Sequence, residues 1–134
     1  MPISKIEDAI KDIKKGKMVI LVDDQDRENE GDLIISAEFA TPEAINFMAT
    51  HGRGLICLSV DNNKAKKLDL SPEKSPSDDN LDSTAFTVSI DAKKDVTTGI
   101  SAHDRSKTAM MVASDSSVAN DFDRPGHMFP LIAR

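Results

Sequence analysis

Ten consecutive residues constrain this chain more than any others: Asp23-Asp24-Gln25-Asp26-Arg27-Glu28-Asn29-Glu30-Gly31-Asp32, held between the apolar runs Met18–Val22 and Leu33–Ile35. Apolar, β-branched flanks predict strands, so the stretch is a strand-loop-strand unit. That layout anchors the loop at both ends and leaves its side chains free for chemistry. Six carboxylates crowd the loop and repel one another. Two readings follow. A solvated acidic turn needs nothing more. A shared cation relieves the repulsion, and Mg²⁺ or Ca²⁺ takes oxygen ligands. Arg27 inside the run is suited to clamp an anion, and Gly31 suggests a backbone conformation that glycine adopts easily. An EF-hand is excluded: counted from Asp26, the twelfth position, which needs a bidentate Glu, is Ala37, and the flanks are not helical.

The length of 134 residues predicts one domain, 1–134. Aromatics are 4% of the chain, so the core must be aliphatic. A net charge of −6 with no basic stripe argues against nucleic acid as a partner. The single cysteine, Cys57, rules out an internal disulfide and fits a reducing cytoplasm. No signal pattern opens the chain, and no apolar run approaches the roughly 20 residues needed to span a membrane. No internal repeat is visible.

In order, Ser4–Lys15 reads as a helix with a Ser4/Glu7 capping box, an Ile6/Ile10/Ile13 face and Gly16 as left-handed cap. Met18–Val22 reads as a buried strand, and Leu33–Ala37 as its successor. Thr41-Pro42-Glu43 starts a second helix with Ala44, Ile45, Phe47 and Met48 on its apolar face. Gly52-Arg53-Gly54 ends it, either as a plain turn or where backbone approaches a ligand. Leu55–Val60 is a strand carrying Cys57, which reads as a small core residue or as a thiol with a direct role. Asn63–Leu68 reads as a short helix, Asp69–Ser83 as a long loop and Ala85–Ile90 as a strand with one wet face. Thr97-Thr98-Gly99 leads into a helix with a second capping box, Ser101/Asp104; this is an ordinary cap or an anion site. His103 is expected to be exposed. The chain closes on Arg124-Pro125-Gly126-His127, where two prolines and a glycine around a histidine beside an arginine make a general acid/base candidate.

Four segments in this order resemble one family: Asp24–Asp32, His51–Cys57, Thr97–Arg105 and Arg124–Leu131. They are similar to 3,4-dihydroxy-2-butanone-4-phosphate synthase of riboflavin biosynthesis, over essentially the whole chain. The resemblance implies an α/β (α+β layered) fold, a mixed β-sheet flanked by helices, in a cytoplasmic homodimer. It implies a Mg²⁺-dependent (Mn²⁺ possible) lyase that converts ribulose 5-phosphate to 3,4-dihydroxy-2-butanone 4-phosphate and formate. It assigns Glu28 to the metal, Arg27, Glu28, Asp32 and Thr98 to the substrate, and His127, Glu30, Asp32 and Cys57 to catalysis. The family pattern continues with an Arg-x-Gly-His-Thr motif and a later glutamate that these residues do not contain. Two alternatives therefore stand beside the lyase: a metal-binding or oligomerising module without turnover, and a sugar-phosphate isomerase-like enzyme that releases no formate.

Overall fold

The computed structural model describes residues 3–72 and 84–133. Helix α1 (Ile6–Lys14) precedes a hairpin of β1 (Val19–Val22) and β2 (Gly31–Ile34). Then follow α2 (Pro42–Phe47), β3 (Cys57–Val60), α3 (Asn62–Lys67), β4 (Ile90–Ala92), α4 (Ala102–Ala113) and β5 (Phe122–Ile132). The fold is α/β with a mixed sheet. Central β5 runs parallel to β3 and antiparallel to β4. Helix α4 packs against β4 and β5, and α2 packs against α4. Between the layers lie Ile45 of α2, Ala109 and Val112 of α4, and Leu58, Ile90, Phe122 and Met128 of the sheet. The core is aliphatic apart from Phe122, as the composition requires.

Several elements start or stop as their residues dictate. The Thr41 hydroxyl accepts from Ala44 N at 3.2 Å, and Pro42 occupies the first helical position. Gly16, at φ 77°, ends α1. Other expectations need correction. Lys5, not Ser4, is the N-terminal cap of α1, and no side chain caps it. The second strand is shorter than Leu33–Ala37: residues Ala37–Phe39 form a 3-10 turn. Within Ala85–Ile90 only Phe86 and Thr87 form isolated bridges, and the strand proper begins at Ile90. Most of the expected Asp69–Ser83 loop lies outside the described residues. Gly31 is ordinary strand backbone, and Asn29 (φ 52°) takes the left-handed conformation in the acidic loop. Likewise Arg53 (φ 59°), not its flanking glycines, makes the left-handed turn after α2.

The largest correction concerns β1. Its residues Ile20, Leu21 and Val22 are 66%, 53% and 52% exposed. An apolar run records a preference for burial but not the surface that provides it. Among the described residues β1 pairs with β2 alone, in a hairpin separate from the three-stranded sheet. Between hairpin and sheet opens a cavity of about 610 Å³, lined by Gly31–Ser36 on one side and Gly54–Ser59 on the other.

Candidate active site

The acidic loop is organised from within by Asp23. One of its oxygens accepts from Glu30 N at 2.9 Å, and the other from Glu28 N at 2.9 Å and from Arg27 Nη1 at 3.0 Å. The amides of Glu28 and Glu30 hold its carboxyl below the usual range against the opposing effect of burial, and Arg27 adds to the lowering. Asp23 is thus committed to shaping the loop. Arg27 also lies 3.4 Å from Glu28 Oε2, so its guanidinium bridges two carboxylates. Glu28 and Glu30 are exposed.

This donor set is all hard oxygen, which suits Mg²⁺ rather than a softer ion. Among the described residues no three His, Cys, Asp or Glu side chains converge into a metal cage. Mg²⁺ does not require one. It keeps several waters and is bound through one or two carboxylates plus substrate oxygens. The exposed Glu28 carboxylate fits that arrangement.

Asp32 and Cys57 come together on the wall of the cavity between hairpin and sheet. Burial, and then the charge of Asp32, push the Cys57 thiol up, so it remains protonated at neutral pH. His127, Thr98, Glu28 and Glu30 are not on that wall.

A third cluster surrounds His127. The β4–β5 ladder pairs Ile90 with Met128 but Asp91 with Asp123, so the four residues Arg124–His127 bulge out without partners on β4. Bulges re-aim side chains, and this one turns His127 onto Asp91. Asp91 Oδ1 accepts from His127 N at 2.8 Å, and Oδ2 lies 2.8 Å from His127 Nδ1. Asp91 is largely buried, whereas the imidazole is 42% exposed. A carboxylate at Nδ1 makes that nitrogen the donor and leaves Nε2 with a free lone pair on the open side. Gly126 permits the close approach: a Cβ there would overlap Ile90 and the Asp91 amide. Arg124 does not stand beside the histidine. Its guanidinium donates to the carbonyls of Ala119, Phe122 and Leu68 and so ties down the base of the bulge.

The Thr97–Gly99 turn does not wait for an external anion. Ser101 Oγ caps α4 by accepting from Asp104 N at 3.0 Å. The Asp104 side chain does not complete a capping box. Its Oδ2 accepts from Thr97 N (3.1 Å), Thr97 Oγ1 (2.8 Å) and Gly99 N (2.9 Å). Burial alone would raise this carboxyl; the Thr97 hydroxyl and the two amides outweigh it and hold the group at about 2. Thr98, between these anchors, is exposed, as is His103.

The structure therefore gathers Arg27, Glu28 and Glu30 on the loop and Asp32 with Cys57 in the cavity, while His127 pairs with Asp91 and Thr98 lies in the turn that Asp104 holds. Among the described residues no hydrogen bond or ion pair joins the loop to His127. Asp91 escaped notice in the sequence, because a lone aspartate in a strand carries no local signal. Asp104 was visible only as a cap.

A family model for 3,4-dihydroxy-2-butanone 4-phosphate synthase matches residues 7–134. The riboflavin biosynthesis protein RibBA of Aquifex aeolicus is 56% identical over 131 residues, 96% of this chain and 32% of the relative. The 3,4-dihydroxy-2-butanone 4-phosphate synthase of Helicobacter pylori is 52% identical over 134 residues, 100% of this chain and 38% of the relative. A solved 3,4-dihydroxy-2-butanone 4-phosphate synthase in complex with two magnesium ions superposes with a TM-score of 0.89 at 44% identity, covering 98% of this chain and 61% of that one. The chain thus spans about a third of the length of these two curated relatives.

Proposed function

The chain belongs to the 3,4-dihydroxy-2-butanone 4-phosphate synthase family, and from that premise we propose that it serves the conversion of ribulose 5-phosphate to 3,4-dihydroxy-2-butanone 4-phosphate and formate. The observation that carries this reading is the Asp91–His127 pair, with both carboxylate oxygens on the histidine at 2.8 Å. Enolisation next to a carbonyl needs a group that accepts a proton and returns it. His127 Nε2 is free to do so while Asp91 fixes the ring.

The remaining roles follow the family pattern. Glu28 holds the divalent ion, Mg²⁺ or Mn²⁺. When bound, that ion supplies positive charge beside the oxygens of the enediolate. Arg27 exchanges a carboxylate partner for the sugar phosphate. Asp32 and Thr98 orient substrate hydroxyls, and Glu30 shares the proton traffic. Cys57, held protonated, contributes shape and a weak donor rather than a nucleophile. We read residues 1–134 as a single domain, the N-terminal and central part of a 3,4-dihydroxy-2-butanone 4-phosphate synthase domain, in a cytoplasmic homodimer.

The test is formate release from ribulose 5-phosphate, with Mg²⁺ and with EDTA. Metal-dependent formate supports the lyase. Solvent deuterium incorporated into the sugar phosphate without formate indicates the isomerase-like reaction. Mg²⁺ binding with neither product, from a folded chain, indicates a binding module.

A further inference from the structure

We infer that Asp104, in the first turn of α4, is a positioning residue for the Asp91–His127 pair. The inference deepens the proposed function and rests on it for its catalytic consequence, though not for its geometry. Asp104 is only 1% exposed, and among the described residues none of its hydrogen bonds or ion pairs reaches His127. It acts on Asp91 by two routes.

The first route runs through its side chain. Three donors from Thr97 and Gly99 converge on one carboxylate oxygen, which curls the Thr97–Gly99 turn back against α4. Gly99, at φ +94°, then lies flat on the Asp91 carboxylate, so close that a Cβ would overlap it. The turn is the wall behind Asp91. The second route runs through its backbone. The Asp104 carbonyl accepts from Thr108 Oγ1 at 3.1 Å, and that oxygen accepts from Ala92 N at 2.9 Å. Ala92 is the residue after Asp91. The Asp104 carboxylate therefore pins the wall behind Asp91, and Thr108, anchored on the Asp104 carbonyl, pins the strand that carries it. Asp91 in turn has both oxygens committed to His127. A shift of the wall moves the carboxylate off Nδ1 and removes what selects the imidazole tautomer.

The experiment reads that tautomer directly in the ¹⁵N-labelled chain, from the ring-nitrogen shifts of His127 at a pH where the imidazole is neutral. His127→Gln assigns the signal among the three histidines. Wild type is expected as the Nδ1–H form, and Asp91→Asn defines its loss. Asp104→Ala and Gly99→Ala are expected to move His127 to the Asp91→Asn pattern, the first by releasing the wall and the second by driving a methyl group into the carboxylate. An unchanged Nδ1–H form in folded Asp104→Ala overturns the inference. If Asp104→Ala does not fold, Thr97→Val decides instead, because it removes only the hydroxyl donor at an exposed residue. A mixture of tautomers upholds the inference, and the pure wild-type form overturns it. In parallel, kcat for formate should fall in Gly99→Ala by on the order of 10²-fold, as for other misplaced catalytic groups. Wild type releasing no formate would sink the lyase reading and leave the tautomer result standing.

Discussion

Thr108→Val swaps a hydroxyl for a methyl group of nearly the same shape at a fully buried site, and it is expected to destabilise the fold. Thr108 has 0% exposure. If burial of apolar surface were all that mattered, valine would be neutral or better there. The hydrogen bonds say otherwise. Thr108 Oγ1 is the acceptor for Ala92 N at 2.9 Å and donates to the Asp104 carbonyl at 3.1 Å. Valine leaves the Ala92 amide without that partner, and an orphaned buried donor costs about 1–3 kcal/mol. The Asp104 carbonyl loses less, since a carbonyl has a second lone pair to satisfy. No cavity is left, because valine is nearly the same shape as threonine; the lost hydroxyl alone is what makes the swap costly. With a urea slope of about 2 kcal/mol/M for a small domain, the midpoint should fall by roughly 0.5–1.5 M at unchanged slope. Amide exchange at Ala92, on β4, should accelerate more than that of buried residues on β5. A valine variant as stable as wild type, with Ala92 still protected, would refute the assignment of Thr108 as a tie between α4 and β4.

His127→Ala should lower formate turnover by about 10²–10⁴-fold, the range for loss of an acid/base group; an unchanged rate in an active chain would leave His127 a structural role. Glu28→Gln should weaken Mg²⁺ binding in a titration while the circular dichroism spectrum stays the same, because the residue is exposed; equal affinities would remove Glu28 from the metal site. Acid should destabilise the fold through Asp104: held at about 2 against an ordinary 3.8, it takes up its proton in the unfolded chain before it does so in the native one. Its stabilisation is complete above the ordinary value and is lost as the pH falls through about 2. Asp104→Asn should flatten the stability curve in that window, measured by denaturant titration at each pH, and an unaltered slope would mean another carboxylate dominates.

Much of this protein was decided locally. Thr41 and Pro42 start α2, Asp61 caps α3 through Lys64 N at 2.7 Å, Ser101 starts α4, and Gly16 stops α1. Each effect lies within a few residues of its cause, so sequence patterns register it. The acidic loop belongs to the same class: two β-like flanks and a dense run of charge were enough to place a hairpin with an anionic tip. The order of four motifs was enough to point to the family.

Other features depend on distant parts of the chain. Apolar β1 announces a preference for burial, but exposure is a property of what packs alongside, and among the described residues β1 has only β2 as a strand neighbour. Asp91 and His127 are 36 positions apart; they meet only because the β4–β5 register skips Arg124–His127. The Thr97–Gly99 turn, which from sequence suited an outside anion, is filled by Asp104. Capping residues act over one helical turn and leave their mark in the sequence. A carboxylate's partner is set by strand register, by a bulge and by which glycine lacks a side chain at the point of contact, and these are settled only when the sheet and α4 pack together.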